Sequence, residues 1–197
     1  MNVLFFVSTN IHKYYEMKFI LQNRITDLNF NFYKQNLIEI QDDKIEKIAI
    51  EKAKSAYNIV QRPIIIEDDG LFINSLNGFP GQYSSFVFRS IGNRGILRLL
   101  KGNKDRCAFF KSIIVYSNGN IAKAFSGQIN GNISSTITDN GWGYDPIFIP
   151  WNKHDNNKNE TFAKLSKTNK KNKLSHRRIA LDKFVKWFKQ NNKLKKL

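Results

Sequence analysis

The sequence predicts an α/β fold, in which strands and helices alternate along one chain. The apolar run Val3 to Ser8 precedes a segment with helical periodicity, and a second helix precedes the buried strand Ile64–Ile66. This order is typical of a sheet that is covered by helices. With 197 residues, 41% of them hydrophobic, the chain is long enough for one domain over residues 1–197 with a sizeable core.

The first strand, Val3 to Ser8, is apolar on both faces and is therefore expected in the middle of the sheet. Ser8, Thr9 and Asn10 follow as candidate caps of a helix, and Lys13 lies in the first helical turn. The N-terminus of a helix after a strand favours phosphate. Helix capping beside a surface lysine is the simpler interpretation of the same residues.

Phe30 and Phe32 alternate with polar residues and predict a second strand. The following helix repeats inward positions at helical spacing, and Lys52 is among them. Glu39 lies between two isoleucines just before this helix. Spacing alone favours a strand edge there, with the Glu39 carboxylate in water.

Three adjacent acids, Glu67, Asp68 and Asp69, follow the buried strand and are expected to end it together with Gly70. Neighbouring carboxylates repel by about 1 kcal/mol or more in a partly dry setting, which a divalent cation would offset. A solvated turn is the alternative. In an extended strand Glu67 and Asp69 would face one way and Asp68 the other, which favours a single principal catalytic carboxylate.

The second half of the chain predicts a short helix around Ile96–Leu100 and then a hairpin with Asn118-Gly119 at its turn. The segment 140–150 combines glycine, aromatic residues and proline in a shaped loop, where Trp142 either stacks on a base or belongs to the core. A last helix follows Ser175, a candidate cap. It begins with His176, Arg177 and Arg178, cations at the wrong end of the helix dipole, which indicates a nearby anion.

Composition narrows the class of protein. The formal net charge of +16 predicts an anionic partner, either nucleic acid or a small polyphosphate. Much of the excess lies in the Lys/Asn-rich region after Trp151. No apolar run approaches the length of a membrane helix, and the single cysteine, Cys107, suits a reducing compartment. We therefore expect a cytoplasmic protein without membrane contact, in which Cys107 is a buried structural thiol.

Five motifs occur in a characteristic order. They are Thr9–Lys13, Asp68–Leu71, Gly78–Ser84, Trp142–Phe148 and Ser175–Arg177. This arrangement resembles the inosine triphosphate pyrophosphatases, the Ham1-type family of non-canonical purine nucleoside-triphosphate pyrophosphatases. The resemblance spans nearly the whole chain.

The resemblance implies an elongated mixed sheet with two lobes around a central nucleotide-binding cleft, assembled as a homodimer. It implies hydrolysis of ITP, dITP and XTP to the monophosphate and pyrophosphate with Mg²⁺, or with Mn²⁺ in its place. It also implies Asp68 as the general base, and Glu39 and Asp68 as the metal ligands. The substrate contacts that it implies are Ser8, Thr9, Asn10, Lys13, Asp69, Trp142, Gly143, Tyr144, Asp145, Lys171, His176 and Arg177.

The sequence departs from the family pattern at three places. Asp69 replaces a serine, and Trp142 replaces a phenylalanine. The third departure is the pair Ile11-His12 in the phosphate loop. Asp69 adds an acid beside the metal. Two alternatives remain open at this stage. One is a basic nucleic-acid-binding protein that kept the fold without turnover, and the other is a Maf-like pyrophosphatase of other modified nucleotides.

Overall fold

The computed structural model describes residues 2–151, 160–168 and 170–194 and confirms the α/β fold. The Lys/Asn-rich region is therefore described only in part, since 152–159 and 169 lie outside these ranges. The helices in the described ranges are α1 (Ile11–Gln22), α2 (Ile45–Val60), α3 (Ser84–Leu99), α4 (Phe162–Lys167), α5 (Lys171–Leu174) and α6 (His176–Leu194). The strands are β1 (Asn2–Ser8), β2 (Leu28–Lys34), β3 (Ile64–Ile73), β4 (Pro80–Gly81), β5 (Cys107–Ser117), β6 (Ala122–Ile133) and β7 (Phe148–Pro150).

The strands form one mixed sheet in the order β2-β1-β3-β5-β6-β7, with β4 paired to β3. The strand β1 is parallel to both of its neighbours, β2 and β3, which confirms its expected interior place. The pairs β3–β4 and β6–β7 are antiparallel. Helices precede β2 and β3 in the chain, as parallel connections require.

The chain divides into two compact units. The first consists of Met1–Asp68, Ser112–Gly127 and Arg177–Leu197. Its strands bury both faces: Ile65 and Ile114 join a core cluster with α1 and α6, while Ile64, Ile66 and Ile113 join a cluster with α2. Each fully buried isoleucine contributes about 1.5–3 kcal/mol by leaving water. The run of three isoleucines is thus explained by helices on both faces.

The second unit consists of Asp69–Lys111 and Gln128–His176. Its core joins the end of β3 to α3, β7 and α4, through buried side chains that include Leu71, Ile96, Phe148 and Phe162. Phe110 packs edge-on against Phe148, with ring centroids 4.7 Å apart. Tyr144, Ile147 and Phe148 of the segment 140–150 belong to this core.

Three expectations about local structure were wrong. The acids do not end the third strand, because β3 continues through Gly70 to Ile73, where Leu71 and Phe72 pair with β4. The helix expected around Ile96–Leu100 begins at Ser84, and a non-helical Gly92 kinks it. Cys107 is only partly buried, since it begins β5 at a position that alternates away from the core.

The connection to α2 also differs from the expected strand edge, because residues 37–41 form neither helix nor strand.

The hairpin between β5 and β6 is confirmed, and its Gly119 has a φ of +89°, which glycine adopts at little cost. Among the described residues, no helix is both long and apolar enough to cross a membrane.

Candidate active site

The acid triplet on β3 points to alternate faces of the strand, as the sequence analysis predicted. Glu67 follows the parity of Ile65 and contacts residues of α1 and α6, whereas Asp68 follows Ile66 and contacts α2. The strand remains extended here, so the three carboxylates cannot turn toward one point. Asp68 therefore has surroundings that differ from those of Glu67 and Asp69.

Asp68 and Glu39 are brought together by a lysine. Lys52 Nζ donates to Glu39 Oε1 and, at 2.7 Å, to Asp68 Oδ1. The side chains of Lys52 and Asp68 are each 14% exposed, and that of Glu39 is 54% exposed. The other Asp68 oxygen, Oδ2, is buried and accepts no hydrogen bond from any residue within the described ranges. The pair predicted to hold a metal thus already surrounds a cation.

Sequence reasoning missed Lys52 as a functional residue, although the pattern contained the signal. Lys52 recurs at helical spacing with Ile48, Ala49 and Ala53, which are buried on the inward face of α2. A charged side chain on an otherwise apolar helix face needs a buried partner, because an unpaired charge there is costly. The two carboxylates are that partner.

Burial and the attraction between opposite charges shift the pKa values of Asp68 and Lys52 in opposite directions. Burial raises the pKa of the Asp68 carboxyl above its ordinary value, and attraction by Lys52 and Lys13 offsets only part of that rise. For Lys52, burial acts to lower the pKa, but attraction by Asp68 and Glu39 outweighs burial and leaves it raised. Lys52 is therefore a firmly charged ammonium group beside a carboxylate that accepts a proton more readily than in water.

Glu67 is the centre of a buried polar network in the first unit. Its Oε1 accepts from Ser112 Oγ at 2.7 Å and from Arg177 Nε at 2.8 Å, and its Oε2 lies 3.3 Å from Lys13 Nζ. Arg177 is completely buried and also donates to Glu16. The anion that the basic start of α6 indicated is thus supplied by the protein's own carboxylates, and Arg178 likewise pairs with Asp182.

The loop after β1 caps α1. The side-chain carbonyl of Asn10 accepts from the backbone N–H groups of His12 and Lys13, at 3.0 and 3.4 Å. Ser8 Oγ accepts from the Asn10 N–H at 3.0 Å, while Thr9 is exposed. The capping interpretation is therefore confirmed, and Asn10 is the cap. The expectation of a surface lysine was wrong, because the Lys13 side chain is only 13% exposed and lies against Glu67.

The segment around Trp142 is built on the core of the second unit. Lys171 Nζ lies 2.6 Å from Asp145 Oδ2 and 5.0 Å from the centre of the Trp142 ring. Both charged groups are nearly inaccessible, and Trp142 is partly exposed. Tyr144 is buried and donates to the Ser84 carbonyl, while the Gly143 carbonyl accepts from Asn93. The Trp142 ring thus has the ammonium group of Lys171 over one of its faces.

His176 also belongs to the second unit. Its ring stacks on Phe110, with centroids 4.7 Å apart and planes inclined by 12°. His176 Nε2 lies 3.5 Å from Asp69 Oδ2. Asp69, the residue that departs from the family serine, therefore lies against His176, which is one of the predicted base-binding residues. It does not share the surroundings of Asp68.

The predicted site residues consequently form local groups. Glu39 and Asp68 meet at Lys52; Lys13 and Arg177 meet at Glu67. In the second unit, Trp142 and Asp145 meet Lys171, and Asp69 meets His176. The Arg177 guanidinium is directed to Glu67 and Glu16.

The fold described above is that of an α/β protein, and comparisons with known proteins identify its family. A family model described as the Ham1 family matches residues 4–187. A dITP/XTP pyrophosphatase of Korarchaeum cryptofilum is 41% identical over 88% of this chain and 89% of its own length. A dITP/XTP pyrophosphatase of Methanopyrus kandleri is 42% identical over 97% of this chain and 98% of its own length.

A solved structure of a Ham1 protein is also similar to this chain. The Ham1 protein of Staphylococcus aureus is similar with a TM-score of 0.77, at 26% identity, over 96% of this chain and 100% of its own. The chain belongs to the Ham1 family.

Proposed function

We propose that this chain hydrolyses the non-canonical purine nucleoside triphosphates ITP, dITP and XTP to the monophosphate and pyrophosphate. The similar proteins named dITP/XTP pyrophosphatases support this activity. The observation that carries it is the pair Glu39 and Asp68, which meet at the ammonium group of Lys52. An enzyme that removes such nucleotides acts on the precursor pool, and we place it in the cytoplasm.

Glu39 and Asp68 fit a hard divalent cation, Mg²⁺ or, in its place, Mn²⁺. Carboxylate oxygens are the ligands that these ions prefer, and the buried Asp68 Oδ2 has no donor from the described part of the chain. A bound ion would neutralise phosphate charge and polarise the phosphoryl oxygens. These two residues are the ligands that we propose.

Asp68 is the base of the proposed reaction. Its carboxylate orients a water molecule and accepts a proton as the water oxygen bonds to the α-phosphorus. The bond from that phosphorus to the bridging oxygen breaks, and pyrophosphate leaves with the electron pair. The raised pKa of Asp68 suits this role, because a base works best when its pKa is near the working pH.

The triphosphate is bound by Ser8, Thr9, Asn10 and Lys13 in this proposal. Asn10 fixes the start of α1, where the helix dipole favours negative charge. Lys13 adds an ammonium group from the first turn, at the edge of the Glu67 network. Phosphoryl chemistry depends chiefly on such positioning and charge neutralisation.

The purine base is bound by the groups of the second unit. We propose that Trp142 stacks on the base and that Lys171 and His176 donate to its 6-oxo group, with Asp69 holding His176. Adenine carries an amino group there and would leave these donors unpaired, which disfavours ATP strongly. The remaining contacts have mainly a shaping role in this scheme. These residues are Gly143, Tyr144 and Asp145 of the second unit and Arg177 of the first.

A homodimer is the assembly that we propose, on the family resemblance. Sedimentation of the purified chain at micromolar concentration tests it, since a dimer has twice the mass of the 23.0 kDa chain. A species of single-chain mass at all concentrations would contradict it.

Release of pyrophosphate from ITP, XTP, dITP, ATP and GTP, with Mg²⁺ and with chelator, tests the proposed activity. We expect turnover of the first three nucleotides, little of ATP and none with chelator. Equal rates on ATP and ITP would contradict the proposed specificity.

Asp68→Asn tests the base. We expect it to lose most turnover, about 10²-fold or more, and to keep the fold, because the amide cannot accept the proton. Asp42→Asn is the matched control, since Asp42 pairs with Lys47 just before α2 and lies outside the proposed site. Near-normal turnover by Asp68→Asn would remove Asp68 as the base.

A further inference from the structure

Lys52 occupies the position between the two proposed metal ligands. Its ammonium group donates to both Glu39 and Asp68, and its side chain is only 14% exposed. The inward face of α2 holds the lysine there, with the buried Ile48, Ala49 and Ala53 at helical spacing around it. The cation is therefore tethered to the protein and cannot diffuse away.

We infer that Lys52 is an internal cation that holds Glu39 and Asp68 together and competes with the divalent ion for them. The inference rests on the proposed metal site and extends it to a positioning residue. Without a cation between them, the two carboxylates would repel each other. The ammonium group supplies that charge in the metal-free protein.

Lys52 and a divalent ion compete because they need different distances to the same carboxylate oxygens. An ammonium group donates along N–H bonds with N···O distances near 2.7–2.9 Å, whereas Mg²⁺ demands oxygens at about 2.0–2.1 Å in an octahedral arrangement. Asp68 Oδ1 is 2.7 Å from Lys52 Nζ and cannot satisfy both cations at full strength. A divalent ion that binds Glu39 and the open Oδ2 of Asp68 must therefore share the charge of both carboxylates with the ammonium group or displace it.

Electrostatic repulsion between the Lys52 ammonium group and a divalent ion also opposes binding of the ion. Two cations within a few ångströms repel each other in a partly buried site, and salt screens a buried pair weakly. The side chains of Lys52 and Asp68 are shielded to the same degree. Replacing Lys52 with a neutral side chain of similar length should consequently strengthen binding of the metal alone.

The test is a titration of the full chain with Mn²⁺ in the absence of nucleotide, followed by electron paramagnetic resonance and calorimetry. We expect Lys52→Met to bind Mn²⁺ at least about tenfold more tightly than the wild type. Lys52→Gln, which stays polar but neutral, should bind more tightly as well, and circular dichroism verifies the fold of each variant.

Lys47→Met is the matched control, because Lys47 also lies on α2 but pairs with Asp42, and its affinity for Mn²⁺ should not change. Asp68→Asn tests the metal site itself and should weaken Mn²⁺ binding. If Asp68→Asn binds like the wild type, the metal assignment is overturned and the inference with it. If Asp68→Asn weakens binding but neither folded Lys52 variant strengthens it, the inference alone is overturned.

Discussion

Glu67 is a carboxylate whose side chain is completely shielded from solvent in the first unit. Its charge is balanced by Arg177, which is equally buried, and by Lys13. Two cations and the two carboxylates of Glu67 and Glu16 thus neutralise one another. Removal of one member of such a network leaves an uncompensated buried charge.

Glu67→Ala should therefore lower the free energy of unfolding by about 3 kcal/mol or more. For a chain of this size, that corresponds to a decrease in Tm of about 6–12 °C. Urea denaturation and thermal melts measure it. Glu51→Ala is the control, because Glu51 pairs with Lys54 at the surface and its loss should cost about 1 kcal/mol or less. An equal effect of the two variants would contradict the buried network.

The pKa of Asp68 gives a prediction with a definite sign. Burial raises this pKa in the folded protein, so the folded state holds the proton more tightly than the unfolded state does. The resulting stability is fully present below the unfolded pKa and is lost as the pH rises through the raised folded value.

Asp68→Asn stays neutral at every pH and should avoid that loss. We expect its stability to match the wild type at acid pH and to exceed it near pH 7, measured by chemical denaturation in the presence of a chelator. Lower stability of the variant near pH 7 would show that attraction to Lys52 outweighs burial.

Asp69, the departure from the family serine, lies against His176. Its carboxylate lies 3.5 Å from His176 Nε2, and a serine hydroxyl is shorter and uncharged. Because Phe110 stacks on His176 and holds the ring independently, Asp69→Ser should be tolerated.

We expect Asp69→Ser to keep kcat within about fivefold, to raise KM for ITP and to change stability by about 1 kcal/mol or less. Steady-state kinetics on ITP and XTP measure this, and Asp105→Ser, on the loop before β5, is the control. Complete loss of activity in Asp69→Ser would show that the acid has become essential.

At the scale of elements, β3 decides where the acids lie. It continues past them because Gly70 lets the backbone of Gly81 approach: a Cβ at position 70 would lie 2.4 Å from the Gly81 carbonyl oxygen. That contact permits the antiparallel pairing of Leu71 with Gly81. The glycine therefore serves strand pairing, and the expected turn after the acids does not form.

Gly70→Ala should disrupt the β3–β4 pairing, because a backbone oxygen cannot rotate away as a side chain can. We expect a loss of at least about 2 kcal/mol in the free energy of unfolding, together with reduced turnover. Asn74→Ala, at an exposed position just after β3, is the control and should be close to neutral. A Gly70→Ala protein as stable as the wild type would contradict the close approach.

At the scale of the whole molecule, the formal charge of +16 should affect encounter with the substrate. A nucleoside triphosphate carries several negative charges, and an attractive field accelerates its association. Salt screens fields that act through solvent, with a Debye length near 10 Å at 0.1 M, but screens buried pairs much less.

We therefore expect kcat/KM for ITP to fall several-fold between about 0.05 and 0.5 M salt, while kcat changes by less than about twofold. Lys186→Glu with Lys189→Glu, on the exposed face of α6, should reduce the salt dependence without altering kcat. A kcat/KM that is independent of salt would contradict a role of the net charge in substrate capture. Inhibition by single-stranded oligonucleotides at low salt tests the nucleic-acid alternative.

The sequence by itself determined the order of the first strands and helices, the β5–β6 hairpin and the last helix, because periodicity depends on which faces are buried. The isoleucine run predicted a strand buried on both faces, and Asn118-Gly119 predicted the hairpin turn, since few residues other than glycine adopt its backbone angles. Strand parity correctly separated Asp68 from Glu67 and Asp69. The five motifs identified the family, which the comparisons confirmed.

Only the tertiary structure decided how the charged groups pair. Glu39 and Lys52 are thirteen positions apart and Glu67 and Arg177 are 110 apart, distances over which sequence periodicity carries no information. The basic start of α6 indicated an anion but could not show that the anion was Glu67 and Glu16. Charge pairing depends on which side chains the packed strands and helices bring within about 3–4 Å, and that is settled only when the chain folds.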